Sequence, residues 1–439
     1  MRSVINFAGI FFACLVVLPA MSAMGEAQQS EAVTADTAYY EIIGDKDKRI
    51  TIPFELINNL IVIEGSINGS VPLKFILDTG VSKTLVTTIP IGEEIFLESS
   101  RIVQLSGLGA GEPIEAFYSE KNQLQIANVV GKDLDMLFLT NDIFQLSSFM
   151  GTNVHGIIGY ELFADFAVEI NYLDKEIILY DPDSFEKKFK KLPRHRKWHK
   201  IPLFIEDKKP YVDVTFRHQP GADEIPLRLL IDTGSSNAFS LYDLTHEGIT
   251  VPRSQISTLI GVGLSGKVSG HMGRIESIKM GDMKFDEPVV AYPDSASIRR
   301  VFSLGDRNGS LGGEVLRRFK VIFHYPNQAL YVRANKDFGD RFYYNLSGIE
   351  VNTPVADLPL YVVSDVREDS PADREGVRKG DVIKFINGEP VTKMSLNELI
   401  TYLQKRQSRN LILGVQRDSV YKRFKFRLEN QLRVDSNIN

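Results

Sequence analysis

Two Asp-Thr-Gly triplets, Asp78-Thr79-Gly80 and Asp232-Thr233-Gly234, carry the chemistry this chain can do. Two carboxyl groups brought side by side cannot easily both ionise, so they share one proton. The ionised member is then a general base for a water molecule, and the protonated member a general acid for a carbonyl oxygen. The resulting gem-diol collapses when the leaving amine takes up a proton, which completes hydrolysis of an amide. That scheme requires neither metal nor cofactor, and the pair titrates as a unit. Gly80 and Gly234 lack a side chain, so two such turns can approach until their carboxyls meet. A lone triplet reads as an ordinary turn, Asp and Gly being standard turn residues. Two behind matched strands do not.

The elements that must position the aspartates are themselves duplicated. Val71-Pro72-Leu73-Lys74-Phe75-Ile76-Leu77 runs into the first triplet and Ile225-Pro226-Leu227-Arg228-Leu229-Leu230-Ile231 into the second, an offset of 154 residues (232 − 78). Downstream, Gly156-Ile157-Ile158-Gly159 is followed by Phe166, Val168 and Tyr172. Gly309-Ser310-Leu311-Gly312 is followed by Phe319, Val321 and Tyr325 at the same spacings. From aspartate to the last glycine of each quartet is 81 residues (159 − 78) and 80 residues (312 − 232). Self-similarity at a fixed offset is the mark of an internal repeat. Each half closes with an alternating strand, Glu176–Tyr180 or Ala329–Val332. Gly-rich segments sit at equivalent places, Leu105–Gly111 with Gly107 and Gly109, and Ile260–Gly266 with Gly261 and Gly263. Both read as hairpin tips able to cover a cleft and exclude bulk water.

An apolar strand running into Asp-Thr-Gly, with an apolar-apolar-Gly segment about 80 residues on, resembles the pepsin and retropepsin superfamily of aspartyl proteases. The G-I-I-G-Y-E-L-F and G-S-L-G-G-E-V-L-R-R-F segments look most like bacterial retropepsin-like proteases with a C-terminal PDZ domain. The resemblance covers roughly residues 48 to 335 for the protease and 342 to 430 for the PDZ domain. It implies that Ile158-Gly159 and Leu311-Gly312 begin loops crossing under the aspartate-bearing turns. It also implies that Thr79 and Thr233 hydrogen-bond across the interface between the lobes. In the wider family a serine after the triplet bonds the neighbouring carboxylate. Ser235 occupies that place in the second copy and Val81 in the first, so Asp232 is expected to be the more readily ionised partner.

The C-terminal match rests on Ser370-Pro371-Ala372, Gly376-Val377, Lys379-Gly380-Asp381-Val382-Ile383 and Ile386-Asn387-Gly388. Residues Ser395–Leu403 have an N-cap candidate and apolar spacings of three and four, the signature of a groove helix. A PDZ groove binds an extended peptide as an added strand and captures its terminal carboxylate with backbone amides. Ser347, Gly348 and Ile349 are the candidates for that carboxylate loop, although Ser347 stands where an apolar residue is usual. Docking of the PDZ domain on its own protease lobes is the other reading of this module.

Composition is that of an ordinary globular protein, 43% apolar and 24% charged with net charge −5, and gives no sign of a nucleic-acid surface. Arg2, an apolar run from Ile5 to Leu18 and the small residues Ala20, Ser22 and Ala23 have the layout of a secretory signal peptide over residues 1–23. Cys14 is the sole cysteine. Phe12 and the apolar continuation after Cys14 disfavour lipidation and membrane anchoring, leaving a mature chain without disulfides or thiolate metal sites. Histidines near the motifs, His155 and His271, show no metal-ligand spacing and read as structural. Residues 24–47 are expected to be a disordered leader. The basic run at 185–200 reads as a solvated connector with Trp198 as an anchor.

The expectation is therefore mainly β: two protease lobes, 48–184 and 201–335, forming an internal pseudo-dimer, then an α+β PDZ domain at 342–430, separable after about Asn335. Function is expected to be aspartic-type endopeptidase activity, in the periplasm or secreted, on protein or peptide substrates. Asp78 and Asp232 form the dyad, no cofactor is involved, a C-terminal peptide is the PDZ ligand, and the active unit is a monomer. The alternative is a non-catalytic peptide-binding protein on the same scaffold.

Overall fold

The apolar run ahead of each triplet is a central strand. The computed structural model describes residues 16–18, 39–44, 49–189, 197–299, 307–404 and 410–435. Leu73, Phe75, Ile76 and Leu77 are completely buried, as are Leu229, Leu230 and Ile231. Strands covered on both faces read as continuous apolar runs rather than as alternations.

Lobe one is built on β1 (Leu60–Ile67), β2 (Leu73–Leu77), β3 (Thr84–Val86), β4 (Ser99–Ser106), β5 (Ile114–Ile126), β6 (Val129–Leu139) and β7 (Gly156–Ile158). They lie in the order β4-β5-β6-β3-β7-β2-β1, with Glu55–Ile57 beyond β1 and Val16–Leu18 beyond β4. Lobe two uses β8 (Lys209–Arg217), β9 (Ile225–Asp232), β10 (Phe239–Leu241), β11 (Gln255–Gly263), β12 (Gly266–Arg274), β13 (Val289–Pro293) and β14 (Gly309–Gly312). Its order is β11-β12-β13-β10-β14-β9-β8, which is the first order displaced by seven labels. In both lobes the strand of the glycine quartet runs parallel to the strand before the aspartate and antiparallel to the strand after it. The sequence repeat is a repeat of topology.

A third sheet fuses the lobes. Its six strands run His199–Pro202, Ala329–Ala334, Phe319–His324, Ala167–Asn171, Glu176–Tyr180 and Ile50–Pro53. The central pairing is between lobes and antiparallel, from Ala167 opposite His324 to Asn171 opposite Lys320. The first half of the basic run is not a solvated connector. Pro182–Phe189 is a helix whose Phe185 and Phe189 pack with Tyr180, Tyr331 and Trp198 on this sheet. Trp198 is the expected anchor, with the Arg333 guanidinium 5.1 Å from its ring centre. Residues 190–196 lie outside the described residues.

A second correction concerns residues 24–47. Tyr40–Ile42 is a strand paired with Val129–Gly131, because Tyr40 is buried beside Phe166 and its amide donates to Asp165 at 2.6 Å. The remainder of that leader, apart from Tyr39, Ile43 and Gly44, lies outside the described residues, as does the signal-like segment except for Val16–Leu18.

The C-terminal module has β15 (Ile349–Asn352), β16 (Tyr361–Val366), β17 (Val382–Ile386), β18 (Asn410–Arg417) and β19 (Val420–Arg427), paired in the order β15-β16-β17-β18-β19. Helix α1 (Leu396–Gln404) starts at a reciprocal cap. Ser395 Oγ accepts from the Glu398 amide at 3.3 Å, and the Ser395 amide donates to Glu398 Oε2 at 2.7 Å. Leu396, Leu399 and Leu403 are its buried face, at the spacing of an amphipathic helix.

This module is not set apart at residue 335. Phe338 and Phe342 join an aromatic cluster with Phe285 and Phe319 of lobe two. Arg318, completely buried, donates to the carbonyls of Phe338, Asp340 and Arg341. Its guanidinium lies 3.7 Å from the Phe342 ring centre. Lobe-two packing thus continues well past the expected boundary.

Candidate active site

The two triplets meet at the lobe interface. The Thr79 amide donates to Thr233 Oγ1 at 3.0 Å and the Thr233 amide to Thr79 Oγ1 at 3.1 Å. Each hydroxyl then donates across the interface to the carbonyl just before the opposite aspartate, Thr79 to Ile231 at 2.6 Å and Thr233 to Leu77 at 2.8 Å. Four buried bonds therefore lock the turns in register, as the resemblance implied. Asp78 and Asp232 are both fully buried, and the Asp78 carboxyl acts electrostatically on that of Asp232. Approach is so close that a Cβ on Gly234 would stand 2.2 Å from Asp78 Oδ2.

The quartet loops do cross beneath these turns. Asp78 donates its amide to Ile158 at 2.9 Å, and Tyr160 donates to Val81 at 2.9 Å. In lobe two the Gly313 amide reaches Ser235 at 2.7 Å and Gly312 reaches Ala238 at 2.9 Å. Glycine is required here by contact: a Cβ on Gly159 would fall 2.1 Å from the Val81 carbonyl.

Each carboxylate accepts from the glycine of its own turn, Asp78 from Gly80 at 2.7 Å and Asp232 from Gly234 at 3.0 Å. Burial pushes the Asp232 carboxyl up to about 7. The Arg307 guanidinium, the Asp78 side chain and the amides of Gly234 and Ser235 pull the other way. The Ser235 amide thus favours the ionised form of Asp232, the direction that the resemblance gave to its hydroxyl. Arg307 was not anticipated. It is buried at 4% exposure, with its guanidinium 5.5 Å from the Tyr242 ring centre. Aligned on the quartets, its counterpart in lobe one is Val154, and this break in the repeat was the available signal. Tyr325, a repeat position opposite Tyr172, is also part of the site. Burial, Tyr160 and Asp78 together hold its phenol well above the usual range.

The family model described as "Aspartyl protease" matches twice, at residues 63–162 and 214–315, and the model described as "PDZ domain" matches residues 362–417. The chain thus carries a duplicated domain of the aspartyl protease family and a C-terminal PDZ domain. Among solved structures, basic 7S globulin from soybean is similar at 10% identity and TM-score 0.40, over 69% of this chain and 98% of that one. No curated protein sequence matches the chain.

In the protease lobes the two Gly-rich hairpins meet tip to tip. The Gly107 amide donates to Ser265 Oγ at 3.1 Å. Gly111 donates to the Ser265 carbonyl at 2.6 Å, and Ser265 to the Leu108 carbonyl at 2.8 Å. Leu108 packs with Tyr242, Ile260, Val268, Ala291 and Ile298 of lobe two. Val262 and Leu264 pack in return with Val81, Leu85 and Leu105 of lobe one. Gly107 and Gly109 lie in the first tip. Gly109 has φ +120°, and a Cβ there would meet the Ser265 carbonyl carbon at 2.4 Å. Gly261 and Gly263 are not in the second tip but on β11, whose turn is Leu264-Ser265. Gly263 is needed because a Cβ would lie 2.3 Å from the Leu108 carbonyl oxygen. His155, by contrast, ties β2 to the segment before β7, accepting from the Lys74 amide at 3.0 Å.

In the PDZ domain the expected carboxylate loop is already filled. Asn345 Oδ1 accepts from the amides of Ser347 at 3.2 Å and Gly348 at 3.0 Å, and Ser347 Oγ accepts from the Ile349 amide at 3.1 Å. These are the three donors that would hold a terminal carboxylate. Asn345 is itself held, donating to Glu350 Oε1 at 3.0 Å. Its carbonyl accepts from Arg367 at 3.1 Å. The signal was readable only as Ser347 replacing an apolar residue. Asn345→Ala is therefore expected to create affinity for a peptide with a free C-terminal carboxylate over its C-terminal amide, by roughly the worth of a charge-assisted bond, about 1.5–3 kcal/mol. Calorimetric titration of both peptides checks this. A wild-type preference for the free acid as large as the variant's would contradict it.

Proposed function

We propose that the protein hydrolyses peptide bonds in extended protein or peptide segments, with Asp78 and Asp232 sharing one proton and activating a water between them. The observation that carries this reading is the meeting of two fully buried carboxyls, so close that a Cβ on Gly234 would stand 2.2 Å from Asp78 Oδ2, on turns locked by four threonine bonds. Asp232, with the positive charge of Arg307 and two backbone amides acting on it, is the base. Asp78 holds the shared proton and donates it to the carbonyl oxygen. The tips must part for a substrate chain to enter, and their closure afterwards excludes water from the site. The apolar leader over residues 5–18 supports export to a periplasmic or extracellular location. N-terminal sequencing of the mature protein tests that, and a chain starting at Met1 would refute it.

The test of the activity is cleavage of a peptide library by the purified protein beside Asp78→Asn, from pH 4 to pH 9. Turnover equal in both proteins would leave the non-catalytic binding scaffold as the better reading. The pH profile is itself predictable. Activity requires one ionised carboxyl, and Asp232 is raised to about 7, so activity is lost as pH falls through that region. The acidic limb of kcat/KM should stand closer to neutrality than to the ordinary aspartate value of about 3.9. Removing a cation favours the protonated form, so Arg307→Met should move the limb upward by something on the order of one unit. Ser235→Ala retains its amide and should leave the limb in place. A limb near pH 4, or one unmoved by Arg307→Met, would contradict this electrostatic account.

A further inference from the structure

The tight turns Asn58-Asn59 and Asp207-Lys208 occupy matching positions, each leading into the long hairpin strand ahead of a triplet, β1 or β8. Each reaches across to the quartet loop of the opposite lobe. Lys208 lies over Tyr160, 5.4 Å from the ring centre. Asn59 makes a more exacting contact. Its Nδ2 donates to the Ser236 carbonyl at 3.0 Å and to Glu314 Oε2 at 3.0 Å. Ser236 is four residues after Asp232, and Glu314 follows the Gly312-Gly313 loop beneath it. A Cβ on Gly313 would meet the Asn59 carbonyl oxygen at 2.5 Å. The turn is wedged behind the second aspartate.

Something must hold each wedge. Lys208 is held by the N-terminal segment, donating to the Tyr39 hydroxyl at 3.2 Å. The Asn58-Asn59 turn is held by the PDZ groove helix. Asn397 of α1 donates from Nδ2 to the Leu56 carbonyl at 2.7 Å and accepts on Oδ1 from the Asn58 amide at 2.8 Å. One side-chain amide thus pairs a carbonyl of the strand entering the turn and an amide of the turn itself, as an adjacent strand would. From the other side, Glu314 is gripped by Arg317 at 2.6 Å and by Arg318 at 2.9 Å. Arg318 is in turn bonded to the segment leading into the PDZ domain. The PDZ domain is therefore attached to the back of the Asp232 turn by two routes, and it separately bonds lobe one at Ser148, Gly151 and Asn153 through Thr353 and Asp357.

We propose that Asn397 is a positioning residue for the second catalytic turn, acting through Asn59, so that the PDZ domain sets the geometry of Asp232 from 165 residues away in sequence (397 − 232). The inference rests on the peptidase reading for its kinetic consequence but not for its structural one. It makes the domain a brace on the dyad rather than only a module that delivers substrate. A small displacement of a reacting group costs up to about 100-fold in rate, so the effect falls on turnover and not on substrate affinity.

The experiment compares the full chain with Asn397→Ala, Asn397→Asp and Asn59→Ala. Asn397→Asp keeps the acceptor for the Asn58 amide and loses the donor to Leu56, so it should be intermediate. Expected is a fall in kcat of roughly tenfold or more in Asn397→Ala and Asn59→Ala, with KM within about twofold. Backbone amide hydrogen exchange should accelerate over Thr233–Ala238 and Gly313 while the Asp78 turn is unchanged. Loss of kcat with uniform acceleration across both turns, or a pure KM effect, would overturn the proposal and indicate general loosening or substrate delivery. If the parent turns over no substrate, the peptidase reading fails by itself. The exchange pattern then decides the brace alone: selective acceleration at Thr233–Ala238 supports it and its absence refutes it.

Discussion

Asp78→Asn and Asp232→Asn should each abolish cleavage, by about 10²–10⁴-fold or more, and mixing the two inactive proteins should restore nothing. Asparagine is isosteric with aspartate and keeps the carbonyl oxygen that accepts the Gly80 or Gly234 amide, so both variants are expected to fold. It cannot hold or release the shared proton. The lobes are joined through the central antiparallel pairing of Ala167–Asn171 with Phe319–His324, and each chain already contains both triplets. Exchange of one lobe between chains would require that sheet to be torn apart. Recovery of activity in the mixture would show that the working unit is a dimer, in conflict with the fused sheet.

Truncation after Asn335 is expected to leave lobe two unable to fold cooperatively. It would strip Phe338 and Phe342 from the cluster around Phe285 and Phe319. Removing a buried Phe side chain costs about 3–5 kcal/mol. It would also take three carbonyl partners from the fully buried Arg318, leaving it Glu314. Breaking a buried charge network costs about 3–5 kcal/mol. Together these losses approach the whole ~5–15 kcal/mol stability of a domain. Near-ultraviolet circular dichroism and calorimetry of residues 39–335 beside 39–435 measure the effect. A sharp calorimetric transition with native near-ultraviolet signal in the shorter chain would restore the boundary at 335.

Much of the site was legible in the sequence because it is local and repeated. An apolar strand, a triplet and a glycine quartet each lie within a dozen residues, and their recurrence at one offset fixed two lobes and the two aspartates that meet. What escaped was whatever depends on partners distant in the chain. Asn58 and Asn397 are 339 residues apart, and no local pattern links an asparagine on a helix to a turn in another domain. Phe338 fell between the expected domains and Phe342 at the start of the expected PDZ domain, because both follow the last repeated strand. Phe285 and Phe319 of lobe two gave them a place to pack. Tyr40–Ile42 was misread as leader because three residues give no periodicity, and β6 supplied the pairing. Arg307 carries no repeated signal, because the aligned position in the first half is Val154.

That difference between the halves has an evolutionary meaning. A protease assembled from two copies of one chain must place every residue twice, so any charge beside one aspartate appears beside the other. Once the copies are joined through the shared sheet, each mutation strikes a single half. Arg307 stands where the first half has Val154, and Asn59 ends the turn before β1 as Lys208 ends the turn before β8. A domain added at the end of the chain can likewise engage the two halves through different contacts. Joining two copies in one chain frees two equivalent carboxyls from enforced symmetry, so that the surroundings of each can be tuned separately.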